Sequence, residues 1–266
     1  MTATPTRPLI AVDVGNSRIK LGWFEHALAS DFPLPDRTLR LTLDALDWTE
    51  LDDWLGGVAP AELDWRLGSV NRAAQSRLID LLRERGAIAN TMLLAAGDLP
   101  LRVDLPLPDM VGVDRLLDAV AANRLRPADR AAVVVDLGTA ITVDLVSADG
   151  AFQGGAILPG LMTSAKALNQ FTDMLPLLAE LDGAPNALGK STLEAMRSGL
   201  FWGAVGGIRE LVARYTEQLA AQPVVIVAGG SSHVVADLLG NDARHEPHLT
   251  LAGIALAARG ADERSV

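Results

Sequence analysis

The residues best suited to chemistry stand at the ends of two apolar runs. The first run, Leu9 to Val14, carries Asp13, breaks at Gly15, Asn16 and Ser17, and resumes from Ile19 to Phe24, which is the pattern of a β-hairpin. Glycine in such a turn lets the backbone approach a ligand and aim its N–H groups at phosphate oxygens. Asn16 and Ser17 add donors, Lys20 adds a charge, and Asp13 offers an oxygen to Mg²⁺, directly or through water. Taken alone, the same residues also describe a plain hairpin whose Asp and Gly are turn chemistry. The pattern recurs, however, from Ala132 to Ala140, and Val12-Asp13-Val14-Gly15 aligns without gaps on Val135-Asp136-Leu137-Gly138. Two strands ending in Asp-x-Gly at matching places in two lobes are expected where duplicated domains bind a nucleotide's phosphates, with Thr139 as a further hydroxyl donor.

A second group is Gly112-Val113-Asp114-Arg115, at the start of a helix that follows the proline-rich stretch Asp104 to Asp109. The first turn of a helix favours an anion, so Asp114 can stay ionised and accept a proton from a substrate hydroxyl. Arg115 supplies a planar fork for a carboxylate or phosphate. The alternative is ordinary helix stabilisation, with Asp114 and Asp118 on a solvated face. Gly189-Lys190-Ser191-Thr192 imitates the end of a Walker A loop, but that motif needs glycine at position 184, which is Ala184. Thr192 is kept as a candidate substrate contact, against simple N-capping of the helix that follows. Gly229-Gly230 follows a strand, where the backbone can approach adenosine or simply turn into a helix.

Alternating strand and helix patterns surround these motifs. Strands are expected at 38–43, 65–70 and 92–95, and helices at 50–55, 73–85 and from Val113 onward. The lobe boundary falls near residue 128, giving lobes of 1–128 and 129–266. In the second lobe a strand and glycine-rich loop cover Gly154 to Gly160, a long helix runs from Thr192 to about Ala220, and a strand occupies Val224 to Val227. The long helix has an apolar face through Leu193, Met196, Leu200, Ala204, Ile208, Leu211 and Tyr215. Phe201, Trp202 and Val205 make it apolar elsewhere too, which calls for cover on more than one side, by the other lobe or by a second subunit.

Composition narrows the classes. The 266 residues are 49% hydrophobic, enough for two moderate cores. The net charge of -10, with no Lys/Arg block, opposes binding to nucleic acid or anionic membranes. No cysteine is present, which excludes disulfides and thiolate chemistry, and the four histidines lack metalloprotease spacing. The apolar runs are too short for a signal core or a bilayer span, so a cytoplasmic location is expected.

The ordered motifs Asp13 to Lys20, Gly112 to Arg115, Asp136 to Ala140, Gly154 to Gly160 and Thr192 to Gly199 resemble those of type III pantothenate kinase, within the acetate and sugar kinase, Hsp70 and actin superfamily. The resemblance runs from about Leu9 to Ala258. It implies an α/β fold of two ribonuclease H-like lobes, each a mixed sheet with flanking helices, in the actin-like ATPase arrangement. It implies that Asp13, Val14, Gly15, Asn16, Ser17, Arg18, Ile19, Lys20 and Thr139 bind ATP. Gly112, Val113, Asp114, Arg115 and Thr192 would bind pantothenate, with Asp114 the proton acceptor. It further implies Mg²⁺ with ATP, a monovalent cation (K⁺ or NH₄⁺) on Asp136, and a homodimer. In the substrate loop many relatives carry Asn before the proline and Glu two residues after it, where this chain has Leu107 and Met110. A kinase for another hydroxyl or carboxylate acceptor, and a non-catalytic nucleotide-binding regulator, are the competing readings.

Overall fold

The computed structural model describes residues 7–26, 30–43, 48–179, 183–230, 232–240 and 243–263. Its contacts divide the chain into one unit of Met1–Leu125 with His248–Val266, and another of Arg126–Pro247.

The first unit is built on β1 (Leu9–Val14), a strand buried along its whole length. Hairpin pairing joins it antiparallel to β2 (Arg18–Phe24), and β2 pairs antiparallel with β3 (Arg37–Thr42). On its other edge β1 pairs parallel with β4 (Asp64–Ser69), which pairs parallel with β5 (Thr91–Leu93). The sheet order is therefore β3-β2-β1-β4-β5. Crossovers between parallel strands need a helix, and these are α1 (Trp48–Leu55) before β4 and α2 (Arg72–Glu84) before β5. Asn71 caps α2 by accepting from Ala74 N–H at 3.1 Å. Ile10, Val12, Ile19, Leu21, Trp65, Leu67 and Leu78 form the centre of this core. The fully buried Trp65 keeps its polar edge satisfied by donating Nε1–H to Pro60 O at 2.9 Å.

The second unit repeats the plan. Its central strand β6 (Ala132–Leu137) pairs antiparallel with β7 (Ala140–Val146), and β7 with β8 (Phe152–Pro159). On the other edge β6 pairs parallel with β9 (Val224–Gly229), and β9 with β10 (Ala243–His245). The order β10-β9-β6-β7-β8 is the first sheet's order with the same strand senses. The expected duplication thus extends from two hairpins to two whole five-stranded sheets.

Three elements differ from the expected pattern. The strand expected from Gly154 is part of β8, which runs to Pro159 and leads into a helix, α4 (Leu161–Phe171), that has no counterpart in the sequence-derived elements. The long helix α5 (Thr192–Thr216) buries Phe201, Val205 and Ile208 against Val133, Val135 and Val143, while Leu193 is exposed. Of the expected stripe Met196 and Ile208 are buried and Leu200, Ala204, Leu211 and Tyr215 pack on the core, so the covered surface takes in both the stripe and the apolar residues beside it. The last helix, α7 (Leu249–Glu263), packs on α3 (Val113–Leu125) and on β1, β4 and β2 of the first unit. The expected lobe of 129–266 therefore differs from the contact division, which places this helix with the first unit. Among the described residues no helix is long and apolar enough to cross a membrane.

The α3–α7 crossing is close. A Cβ added to Gly253 would collide with the backbone carbonyl of Leu117. Gly253→Ala should therefore push the helices apart and destabilise the protein by about 1–3 kcal/mol, as overpacked interiors do. Urea titration reads this directly, and an unchanged midpoint would mean that the crossing is not tight.

Candidate active site

Asp13 occupies the penultimate position of β1, opposite Lys20 on β2 and Gly68 on β4. It is 8% exposed, and its Oδ2 lies 3.3 Å from Lys20 Nζ. The turn that follows is closed by Gly15 N–H donating to Arg18 O at 3.0 Å. Asn16, Ser17 and Arg18 stand exposed at the tip, while Ile19 is buried and anchors the returning strand. Val14 and Ile19 thus act as the apolar base of the hairpin, and the polar residues between them face outward.

The Gly112–Arg115 group sits beside the same end of the sheet. Val70 continues from β4, and its N–H donates to Val14 O at 3.1 Å. A Cβ placed on Gly112 would lie 3.5 Å from Val70 Cγ1 and 2.6 Å from Asp114 Oδ1. The turn into α3 therefore packs on the residue that caps the β1–β4 ladder. Within it, Asp114 Oδ1 accepts from Arg115 N–H at 2.8 Å, which fixes the direction of the carboxylate. Asp114 is half-buried and Asp118, one turn on, is 3% exposed, so these two aspartates do not form a solvated face.

In the second unit Asp136 is again penultimate on its central strand, and it is half-buried. The turn beyond it is held by Gly138 N–H donating to Ala140 O at 2.9 Å. Thr139 has an exposed side chain, and its carbonyl accepts from Gly160 N–H at 3.0 Å and from Thr163 Oγ1 at 2.6 Å. The start of α4, absent from the sequence reading, thus braces this turn. Thr192 is the exposed first residue of α5. Ser191 is the cap, accepting from Glu194 N–H at 3.2 Å, which leaves Thr192 without the capping role considered for it.

Sequence reasoning missed a buried hydroxyl. Ser232, 1% exposed at the start of α6 (Ser232–Leu239), has its Oγ 2.6 Å from Gly229 O and 2.7 Å from His245 Nε2. The Gly229-Gly230-Ser pattern was visible, but His245 lies 13 positions away on an edge strand with no motif around it. Gly229 itself has φ +99, and a Cβ there would meet Asp136 Oδ1 at 2.6 Å. Both conformation and space demand glycine at that position.

Among the described residues no three His, Cys, Asp or Glu side chains gather into a metal-binding group. Isolated hard carboxylates at two turns fit a cation that arrives with phosphates and water rather than one caged by protein.

Duplicated ribonuclease H-like lobes, each with an Asp-x-Gly turn after its central strand, make up the actin-like ATPase fold. A model of the family described as type III pantothenate kinase matches residues 9–214. The chain belongs to the type III pantothenate kinase family, and is a kinase. It is 32% identical to a type III pantothenate kinase of Dehalococcoides mccartyi (strain CBDB1), with 94% of each chain covered. It is 35% identical to that of Acidiphilium cryptum (strain JF-5), covering 76% of this chain and 75% of the relative. Among solved structures, a Campylobacter jejuni protein described as a Baf-family transcriptional activator superposes with a TM-score of 0.61 at 19% identity, over 97% of this chain and 100% of the other.

The support of Asp114 by Gly112 can be probed. Gly112→Ala should displace the carboxylate and lower kcat by about 10- to 100-fold, the scale of a small misplacement at a reacting centre. Circular dichroism and the melting temperature should stay near wild type. A wild-type kcat would remove Gly112 from the machinery.

Proposed function

We propose that the protein transfers the γ-phosphoryl group of ATP to the primary hydroxyl of pantothenate, giving 4'-phosphopantothenate in the first step of coenzyme A biosynthesis. The observation that carries this reading is the fixed Asp114 carboxylate, in the first turn of α3 beside the sheet end that also bears the Asp13 hairpin. Asp13, Val14, Gly15, Asn16, Ser17, Arg18, Ile19 and Lys20 bind ATP together with Thr139. Gly112, Val113, Asp114, Arg115 and Thr192 bind pantothenate. Backbone N–H groups of Gly15 to Ser17 and the Lys20 ammonium meet the phosphates, and the Gly229-Gly230 backbone meets the adenosine.

Asp114 accepts the proton of the pantothenate hydroxyl as its oxygen bonds to the γ-phosphorus and the bond to ADP breaks. The transition state for such a transfer is loose, so positioning and charge neutralisation supply most of the rate. Mg²⁺ bound with ATP would neutralise charge on the phosphate oxygens, and Asp13 would hold it directly or through water. Asp136 holds a monovalent cation, K⁺ or NH₄⁺. Arg115 pairs with the substrate carboxylate.

The protein acts in the cytoplasm as a homodimer. Support for the dimer comes from the apolar surface of the second unit, where Ile157, Phe171, Met174 and Leu188 are between 62% and 83% exposed.

Asp114→Asn keeps the size of the side chain but removes its basicity. It should retain ATP binding and lose kcat by about 10²- to 10⁴-fold, measured by coupled ADP release. Turnover equal to wild type would remove Asp114 as the base. A second assay compares KCl or NH₄Cl with NaCl at constant ionic strength. Turnover should depend on K⁺ or NH₄⁺ and drop toward the sodium level in Asp136→Ala, whereas cation-independent turnover would free Asp136 of that role.

A further inference from the structure

The peptide unit joining Gly229 to Gly230 is pinned at both of its polar atoms. Its carbonyl, Gly229 O, accepts from Ser232 Oγ at 2.6 Å, and its N–H, on Gly230, donates to Leu137 O at 3.2 Å. A diglycine is the most mobile dipeptide the chain can offer, so this pinning is what gives the turn a single shape. The second bond ties it to the strand end that carries Asp136, since Leu137 and Gly229 are register partners in β6 and β9.

Ser232 is in turn held by His245. A serine hydroxyl has one proton and a carbonyl can only accept, so Ser232 donates to Gly229 O and accepts from His245 Nε2–H at 2.7 Å. The direction of the relay is thereby set: imidazole to hydroxyl to carbonyl. His245 owes its own place to β10, where it pairs with Val227 and where Glu246 N–H donates to Val227 O at 2.9 Å. The hydroxyl is buried at 1% exposure, while His245 reaches it from an exposed position on the edge strand.

We propose that Ser232 and His245 are positioning residues for an adenine nucleotide: the relay holds the side-chain-free Gly229–Gly230 peptide as a flat surface on which the adenosine end of the nucleotide rests. This rests on the reading of that peptide as the adenosine contact. The relay touches neither the phosphates nor the acceptor, so its loss acts on nucleotide affinity and leaves the transfer step alone.

The test measures ADP binding by calorimetry, together with steady-state kinetics for ATP and pantothenate, in wild type, His245→Ala, His245→Gln and Ser232→Ala. His245→Ala should weaken ADP binding and raise KM for ATP by about five- to tenfold, the worth of one neutral hydrogen bond. Its kcat and its KM for pantothenate should stay within about twofold. Ser232→Ala should match it, and His245→Gln, whose amide N–H can donate to the same hydroxyl, should recover most of the loss. Unchanged ADP affinity in His245→Ala overturns the proposal. So does a parallel rise of both KM values with a lowered Tm, which is the signature of a purely structural role. If wild type binds ADP, His245→Ala loses that binding and no pantothenate is phosphorylated, the acceptor assignment falls while the relay stands.

Discussion

In each unit the candidate residues depend on a central strand that cannot slide. β1 and β6 are each paired on both edges, antiparallel on one side and parallel on the other, and each is almost wholly buried. A slip of one residue would invert every side chain from one face to the other, bringing Asp13 and Asp136 onto the faces that Val12 and Val135 fill in the two cores. The penultimate aspartate of each strand is therefore fixed by the burial of its neighbours. The turns beyond are short and glycine-containing, so the chain reverses at once and the antiparallel partner adds a second rail. The candidate polar side chains stand at the strand ends, and their precise placement comes from the apolar residues behind them.

The supporting contacts work in the same way at lower cost. Val70 bonds to the end of β1 and packs beneath Gly112, so the turn into α3 inherits the rigidity of the sheet. Gly160 and Thr163 brace the carbonyl of Thr139 from the start of α4. In the segment before α3, Leu107 and Met110 remain 68% and 80% exposed although the 3-10 turn Pro108–Met110 holds their backbone.

What could be read from the sequence follows the range of the interactions concerned. The two hairpins, their aspartates and the start of α3 are local, so periodicity and turn residues revealed them. The strand at 65–70 and the helix at 73–85 were displaced from β4 and α2 by one residue at either end, the usual fraying of such boundaries. Helix α7 left no amphipathic signal because Leu249 to Ala258 are all buried and no polar face exists to set a period. The buried face of α5 was ambiguous for a related reason, since Gly199, Gly203 and Gly206 form exposed positions that carry no polar mark. The Ser232–His245 bond joins a helix start to an edge strand, a tertiary fact without a sequence pattern.

The placement of α7 also bears on the order in which the protein is made. The first unit needs this late helix against α3, β1 and β4, so its core stays open on one side until the ribosome has passed residue 258. The second unit is a continuous stretch, Arg126–Pro247, and has all its strands as soon as β10 emerges. The half synthesised later is thus the half that can close first, and the earlier half waits with an unpaired apolar surface. A truncation that removed α7 would leave the second unit's sheet untouched while exposing Leu116, Leu117 and Val120 of the first, residues made more than a hundred positions earlier.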